Sequence, residues 1–148
     1  MFKFKLASVL SLKEKMEDSK KRELGEAIMQ AEKVADEKSY LIRQKNLAIK
    51  EAQEENMGVI TVAHLRAFNQ YNSRVDKEIN KKNEQLIAAN KVVVDKRNEL
   101  LEAVKERKIL DNLKAIQEEV YLEEEKREEQ RIVDDLVTYK YGIKGKES

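Results

Sequence analysis

Apolar residues recur along this chain at helical spacing, in two long runs that meet at one short stretch of helix-ending residues. In the first run Ala27-Ile28, Val34-Ala35, Leu41-Ile42 and Ala48-Ile49 are adjacent pairs spaced by seven, with Ala31 and Ala52 on the turns between them. A repeat of seven places a narrow apolar seam along one side of a helix. Lys38 and Lys45 occupy two of the intermediate turns. Their methylene stems cover apolar surface while the ammonium reaches water, so they thin the seam without breaking it. Nearer the N-terminus Leu6, Val9, Leu10, Leu12 and Met16 fall mostly on one face, and then the stripe fades. Glu17 to Glu23 is almost wholly polar, and Gly25 follows, at a cost of roughly 1 kcal/mol relative to Ala in a helix interior. The pattern predicts a weak point in the first helix there and no domain boundary.

In the second run Leu65, Ile79, Leu86, Val93 and Leu100 hold one heptad position, and Phe68, Val75, Ala89, Ala103 and Leu110 hold its companion. Asn72, Lys82, Lys96 and Arg107 interrupt the two rows. Polar residues at such positions cost stability and specify register. Around Leu113, Ile116 and Val120 the stripe shifts by a residue, a local stutter. Glu123 to Arg131 has no apolar residue, and Ile132, Val133, Leu136, Val137 and Tyr139 restore a short apolar face before Gly142 and Gly145.

Between the runs lies Glu54-Glu55-Asn56-Met57-Gly58-Val59-Ile60-Thr61. Gly58 takes the left-handed conformation without steric cost, and Asn56 tolerates it. The Thr61 hydroxyl can accept from a first-turn backbone donor, although no Glu or Gln follows three residues later to complete a capping box. The prediction is an all-α chain: two long helices in an antiparallel coiled-coil hairpin, the second longer than the first. Its bounds are helix 1 over about 4–55, a turn over about 56–61, helix 2 over about 62–139, and a flexible tail over 140–148. Reversal at Gly58 sets Ile49 near Phe68, Ile42 near Val75, Ile28 near Ala89 and Leu6 near Leu110. The second helix then outruns the first by roughly 25 residues, or about 40 Å. Pairs four residues apart, such as Glu123 with Arg127, help such an overhang by about 0.2–0.5 kcal/mol each. A surrounding partner would help it more.

Composition narrows the picture further. With 40% charged and 5% aromatic residues and a mean hydropathy of −0.75, the chain cannot fill a wide core. Pro is 0 and Gly is 4, unlike the usual disordered chain. Cysteine is absent, which removes disulfides and thiolate metal sites. The N-terminal apolar residues are interrupted by lysine, so no signal peptide is expected, and no apolar run of 18 or more is there to cross a bilayer. A net charge of +1 gives no general pull toward nucleic acid. The basic clusters Lys20-Lys21-Arg22 and Arg107-Lys108 alternate with acids and read as solvated faces. His64 is the only histidine and has no second ligand, the glycines form no phosphate loop, and carboxylates on an outward face have no pocket to raise a pKa. No catalytic residue, metal or cofactor is expected. Tyr40, Phe68 and Tyr71 gather in the half nearer the turn. Phe68 reads as seam, and the two tyrosines flank it, either as edge packing or as a partner-binding patch. The block from Glu118 to Asp135 has nine acids against three bases, a solvated helix or a docking surface.

Both ends of the chain carry a family pattern. Phe2, Phe4, Leu6, Val9 and Leu10, followed by Lys13 and Glu17-Asp18, resemble the F-x-F-x-L-x-x-V-L opening of the flagellar export protein FliJ family. Lys105-Glu106-Arg107-Lys108, then Leu110, Leu113-Lys114, Tyr121, Glu124-Glu125, Glu128-Glu129-Gln130 and Asp134-Asp135, are similar to that family's closing half. Gly58-Val59 before Thr61-Val62, Leu65 and Phe68 resemble its turn. Two departures are Asp134-Asp135, where the family usually has Asp-Glu, and the run into Tyr139-Lys140-Tyr141 without a basic tail. The resemblance implies a non-enzymatic, stalk-like part of the flagellar type III export apparatus, on the cytoplasmic face of the inner membrane at the flagellar base. Its partners would be the hexameric ring of the export ATPase, the membrane protein of the export gate, and export chaperones. The ATPase-facing end would hold Phe4, Leu6, Val9, Leu10, Lys105, Arg107, Lys108, Tyr121, Glu128, Gln130, Asp134 and Asp135. Tyr40, Phe68 and Tyr71 would face the gate. The alternatives are a general coiled-coil scaffold or the equivalent stalk protein of a non-flagellar secretion system.

Overall fold

The structure, a computed structural model, describes residues 1–55 and 61–147, with side chains through residue 143. It consists of two helices, α1 (Ala7–Glu55) and α2 (Val62–Glu147). The expected turn residues Asn56 and Gly58 lie outside the described residues. Thr61 lies within them and caps α2 as its chemistry predicts. The backbone N–H of His64 donates to Thr61 Oγ1 at 3.2 Å, and the first intrahelical bond runs from Leu65 N–H to the Thr61 carbonyl. His64, at the position a capping-box Glu or Gln would hold, places its Nδ1 2.6 Å from the same hydroxyl. Because the first turn of α2 holds no acid, these two residues supply its N-terminal partners.

The chain divides into two compact units. Unit 2 runs from Asp18 to Glu102, and unit 1 joins Met1–Glu17 to Ala103–Ser148. On α1 the boundary falls at the head of the polar stretch from Glu17 to Glu23, the weak point of the hydrophobic pattern; α1 itself continues through Gly25.

In unit 2 the seam is the predicted one. Ala31, Val34 and Val75 are buried, and Phe68, Ile79, Leu86, Ala89, Val93 and Leu100, all in the two expected heptad rows, are half-buried. Leu65 departs from the expectation and is 51% exposed, because it lies in the first turn of α2. Cross-helix ion pairs confirm that the helices run antiparallel: Lys20–Glu99 at 3.2 Å, Glu23–Lys96 at 3.3 Å, Glu37–Lys82, and Lys45–Asp76 at 2.5 Å. Lys45, Lys82 and Lys96, three of the lysines that interrupt the seam, thus half-bury their stems and set their charge against a carboxylate of the opposite helix.

In unit 1 the seam runs through Phe4, Leu10 and Ala103, all buried. Glu17, also buried, accepts from Arg107 Nε, while Arg107 Nη1 donates to Asp111 at 2.5 Å. A buried charge is tolerable only when paired, and Arg107 pairs this one. Lys13 meets Glu106 at 2.9 Å on the edge. The apolar N-terminal face splits. Leu10 turns inward, whereas Leu6, Val9, Leu12 and Met16 stay exposed, since Lys13 and Glu17 take the seam positions one turn apart. No described side chain is fully buried, as a two-helix seam requires.

The end of α2 differs from the prediction. The helix does not stop near Tyr139 to leave a tail but continues to Glu147. Gly142 sits inside it, and an isolated glycine costs roughly 1 kcal/mol, too little to end a helix that has no proline to stop it.

Candidate interaction surfaces

Beyond Tyr121, every described side chain of α2, from Leu122 to Ile143, is exposed. The last link of the paired region is an aromatic one: the rings of Phe2 and Tyr121 stand 5.6 Å apart at 47°. Tyr121 also donates its hydroxyl to Glu125 at 3.1 Å, and that carboxylate raises the phenol pKa above its ordinary value. From there α2 is braced by contacts within itself. Gln130 donates to Asp134 and Arg131 pairs with Glu128, both at 3.1 Å, and Thr138 bonds back to the Asp134 carbonyl at 2.8 Å. On this unpartnered stretch Ile132, Leu136, Tyr139 and Ile143 recur at intervals of four, three and four, so they make one apolar stripe. Val133 and Val137 widen it. This is the same kind of face that packs on α1 further back, presented without a helix to cover it.

The residues expected at this end separate into two groups. Phe4 and Leu10 are buried and Arg107 is held between Glu17 and Asp111, so these three join the helices to one another. Leu6, Val9, Lys105, Lys108, Glu128, Gln130, Asp134 and Asp135 are exposed, and Tyr121 is half-buried. Glu17 was missed as a structural residue. Its signal was available, because it stands seven residues after Leu10 and seven before Leu24, in the same heptad row. The stutter near Leu113 proves to be a second stripe. Ile109, Ile116 and Val120 are exposed and Leu113 half-buried, while Tyr121 resumes the seam.

In unit 2, Tyr40 is exposed and Phe68 and Tyr71 are half-buried. Phe68 closes an open cleft of about 730 Å³ with Ile49, Ala52 and Leu65, rimmed by Glu51 and His64. Tyr40 and Leu41 line a separate one of about 470 Å³ with Glu37 and Lys82 at its edge. Lys82 holds the Glu37 carboxyl below its ordinary pKa, and the Lys20–Glu99–Lys96–Glu23 network does the same for both of its glutamates while raising both lysines. These are solvated edge pairs. Among the described residues no three His, Cys, Asp or Glu side chains gather to hold a metal ion, and no helix is long and apolar enough to cross a membrane.

Among the described residues, fold and surface together define an all-helical protein with a narrow seam and unpartnered helical faces. The family profile described as "Flagellar FliJ protein" matches residues 2–146, and the chain belongs to that family. It is a component of the flagellar type III export machinery. A search of curated proteins finds no match. Among solved structures, the YscO homolog CT670 from Chlamydia trachomatis is similar over 100% of both chains, with a TM-score of 0.53 and 22% identity, a likeness of fold.

Proposed function

We propose that the chain is a stalk-like, non-enzymatic element that docks the free end of α2 into the ring of the export ATPase and promotes its activity. The observation that carries this reading is the fully exposed stretch of α2 past Tyr121, which stays helical although it bears an uncovered apolar stripe. A wide apolar face on a charged helix is stable in water only marginally, and a surrounding protein surface would cover it. Leu6, just before α1, and Val9 on it add apolar surface to the same unit. The tyrosine-bearing half, with Tyr40, Phe68 and Tyr71, is the surface for the membrane protein of the export gate, and exposed helical faces are available to export chaperones. Such a protein acts at the cytoplasmic face of the inner membrane, peripherally.

The test compares the full chain with a variant ending after Tyr121, which keeps the paired region. Added to the cognate export ATPase, the full chain raises the hydrolysis rate and the shortened chain does not. Equal stimulation by both would remove the free end from the mechanism. Tyr40→Ala and Tyr71→Ala retain the stimulation and weaken binding to the gate protein.

A further inference from the structure

Unit 2 carries an apolar stripe that its own helix pair does not use. Ile87, Val94 and Leu101 follow one another at intervals of seven and are 71%, 51% and 52% exposed. They stand one position round from the seam residues Leu86, Val93 and Leu100, so they share one face beside the seam. Next to them a groove of about 440 Å³ opens between α1 and α2, lined by Ile28, Ala31, Leu86, Asn90, Val93 and Arg97. Gly25 precedes Ile28 by three residues and so lies on the same side of α1. A Cβ at Gly25 would meet nothing within 4 Å, so no packing inside this chain requires glycine there. The gap suits the close approach of another helix.

We propose that this face binds the same face of a second copy of this chain, α2 against α2, antiparallel, with the two-fold axis at Val94. The stripe is symmetric about that residue. Antiparallel pairing sets Val94 on Val94 of the second copy, and Ile87 on its Leu101, in both directions. Charge is complementary in this orientation. Lys91 and Asp95 lie on one edge of the stripe, and reversal brings each opposite the other across the axis. On the other edge Arg97 comes beside Asn90 of the second copy, whose amide oxygen can accept from the guanidinium. The stripe is three residues long per copy, which makes the dimer reversible and concentration-dependent. The proposal stands on unit 2 alone and is independent of the reading given to the free end of α2.

The absence of cysteine makes the test direct. Val94→Cys places the sole thiol on the axis, and Val92→Cys places it on another face two residues away. With a short bis-maleimide, full-length Val94→Cys is expected to give a covalent dimer and Val92→Cys to stay monomeric. In sedimentation velocity the unmodified chain shifts toward a dimer at submillimolar concentration, and Ile87→Glu and Leu101→Glu each weaken the association about tenfold or more. Both residues are exposed, so far-UV circular dichroism of the variants remains that of the parent. A chain monomeric at every concentration, which would leave the face for a different helix, overturns the proposal. So does cross-linking of Val92→Cys as efficient as that of Val94→Cys.

Discussion

Val34→Ala measures what the seam contributes. Val34 is 5% exposed, among the most covered apolar side chains of unit 2. Truncation removes two methyl groups, worth about 0.8 kcal/mol each in lost burial, or about 1.6 kcal/mol. No described side chain is fully enclosed, so neighbours and water reach the space and the added cavity cost is small. Alanine returns about 0.5 kcal/mol of helix propensity. The expected net loss is about 1 kcal/mol. The same substitution at Val92, which is 45% exposed, loses a little more than half as much burial, about 0.9 kcal/mol, while gaining the same propensity, so its net loss is about 0.4 kcal/mol. Urea titration followed by far-UV circular dichroism compares the two, with the dependence on denaturant unchanged. Equal midpoints for the two variants, or a larger loss at Val92, would refute the assignment of the seam.

Other expectations follow from particular contacts. Thr61→Ala removes the cap of α2 and lowers stability by about 0.5–2 kcal/mol, whereas Thr61→Asp keeps an acceptor; amide exchange of residues 62–65 reads the difference. Glu17→Leu alone leaves Arg107 with only Asp111 and destabilises more than Glu17→Leu with Arg107→Leu, because the double change removes both charges of the pair; a double-mutant cycle checks the order. The pH profile has two limbs. Glu23, Glu37 and Glu99 are held below their ordinary 4.5, so the stability they contribute is present above that value and lost as pH falls through their folded values. Lys20 and Lys96 are held above 10.5, so their contribution is present below it and lost as pH rises through their folded values. Urea midpoints across pH should therefore decline at both extremes, and Glu23→Gln with Glu99→Gln should flatten the acid limb.

Most of the fold was legible because a repeat of seven is a one-dimensional signal. Val34, Leu41, Val75, Leu86 and Val93 announce a seam without knowledge of any distant contact, and Thr61 announces the second helix. The end of α2 was not legible, since Gly142 and Gly145 suggest termination and only the lack of a stronger breaker permits continuation. Nor was the split at the N-terminal face. Leu6, Val9, Leu12 and Met16 outnumber Lys13 and Glu17 by hydrophobicity, yet phase in the heptad row decides which side chains turn inward. Glu17 could be placed only after asking what stands seven residues from Leu10. The surfaces were half legible: the overhang followed from helix lengths, whereas Ile87, Val94 and Leu101 hid one position beside a stronger row.

In the proposed function the export ATPase ring covers the free end of α2. Hydrogen–deuterium exchange of the full chain with and without the assembled ATPase tests it most directly. The account predicts strong new protection over residues 122–143 and little change over residues 34–49, whose amides lie in the paired region. Protection confined to residues around Tyr40 and Tyr71, with residues 122–143 exchanging as in the free chain, would contradict it.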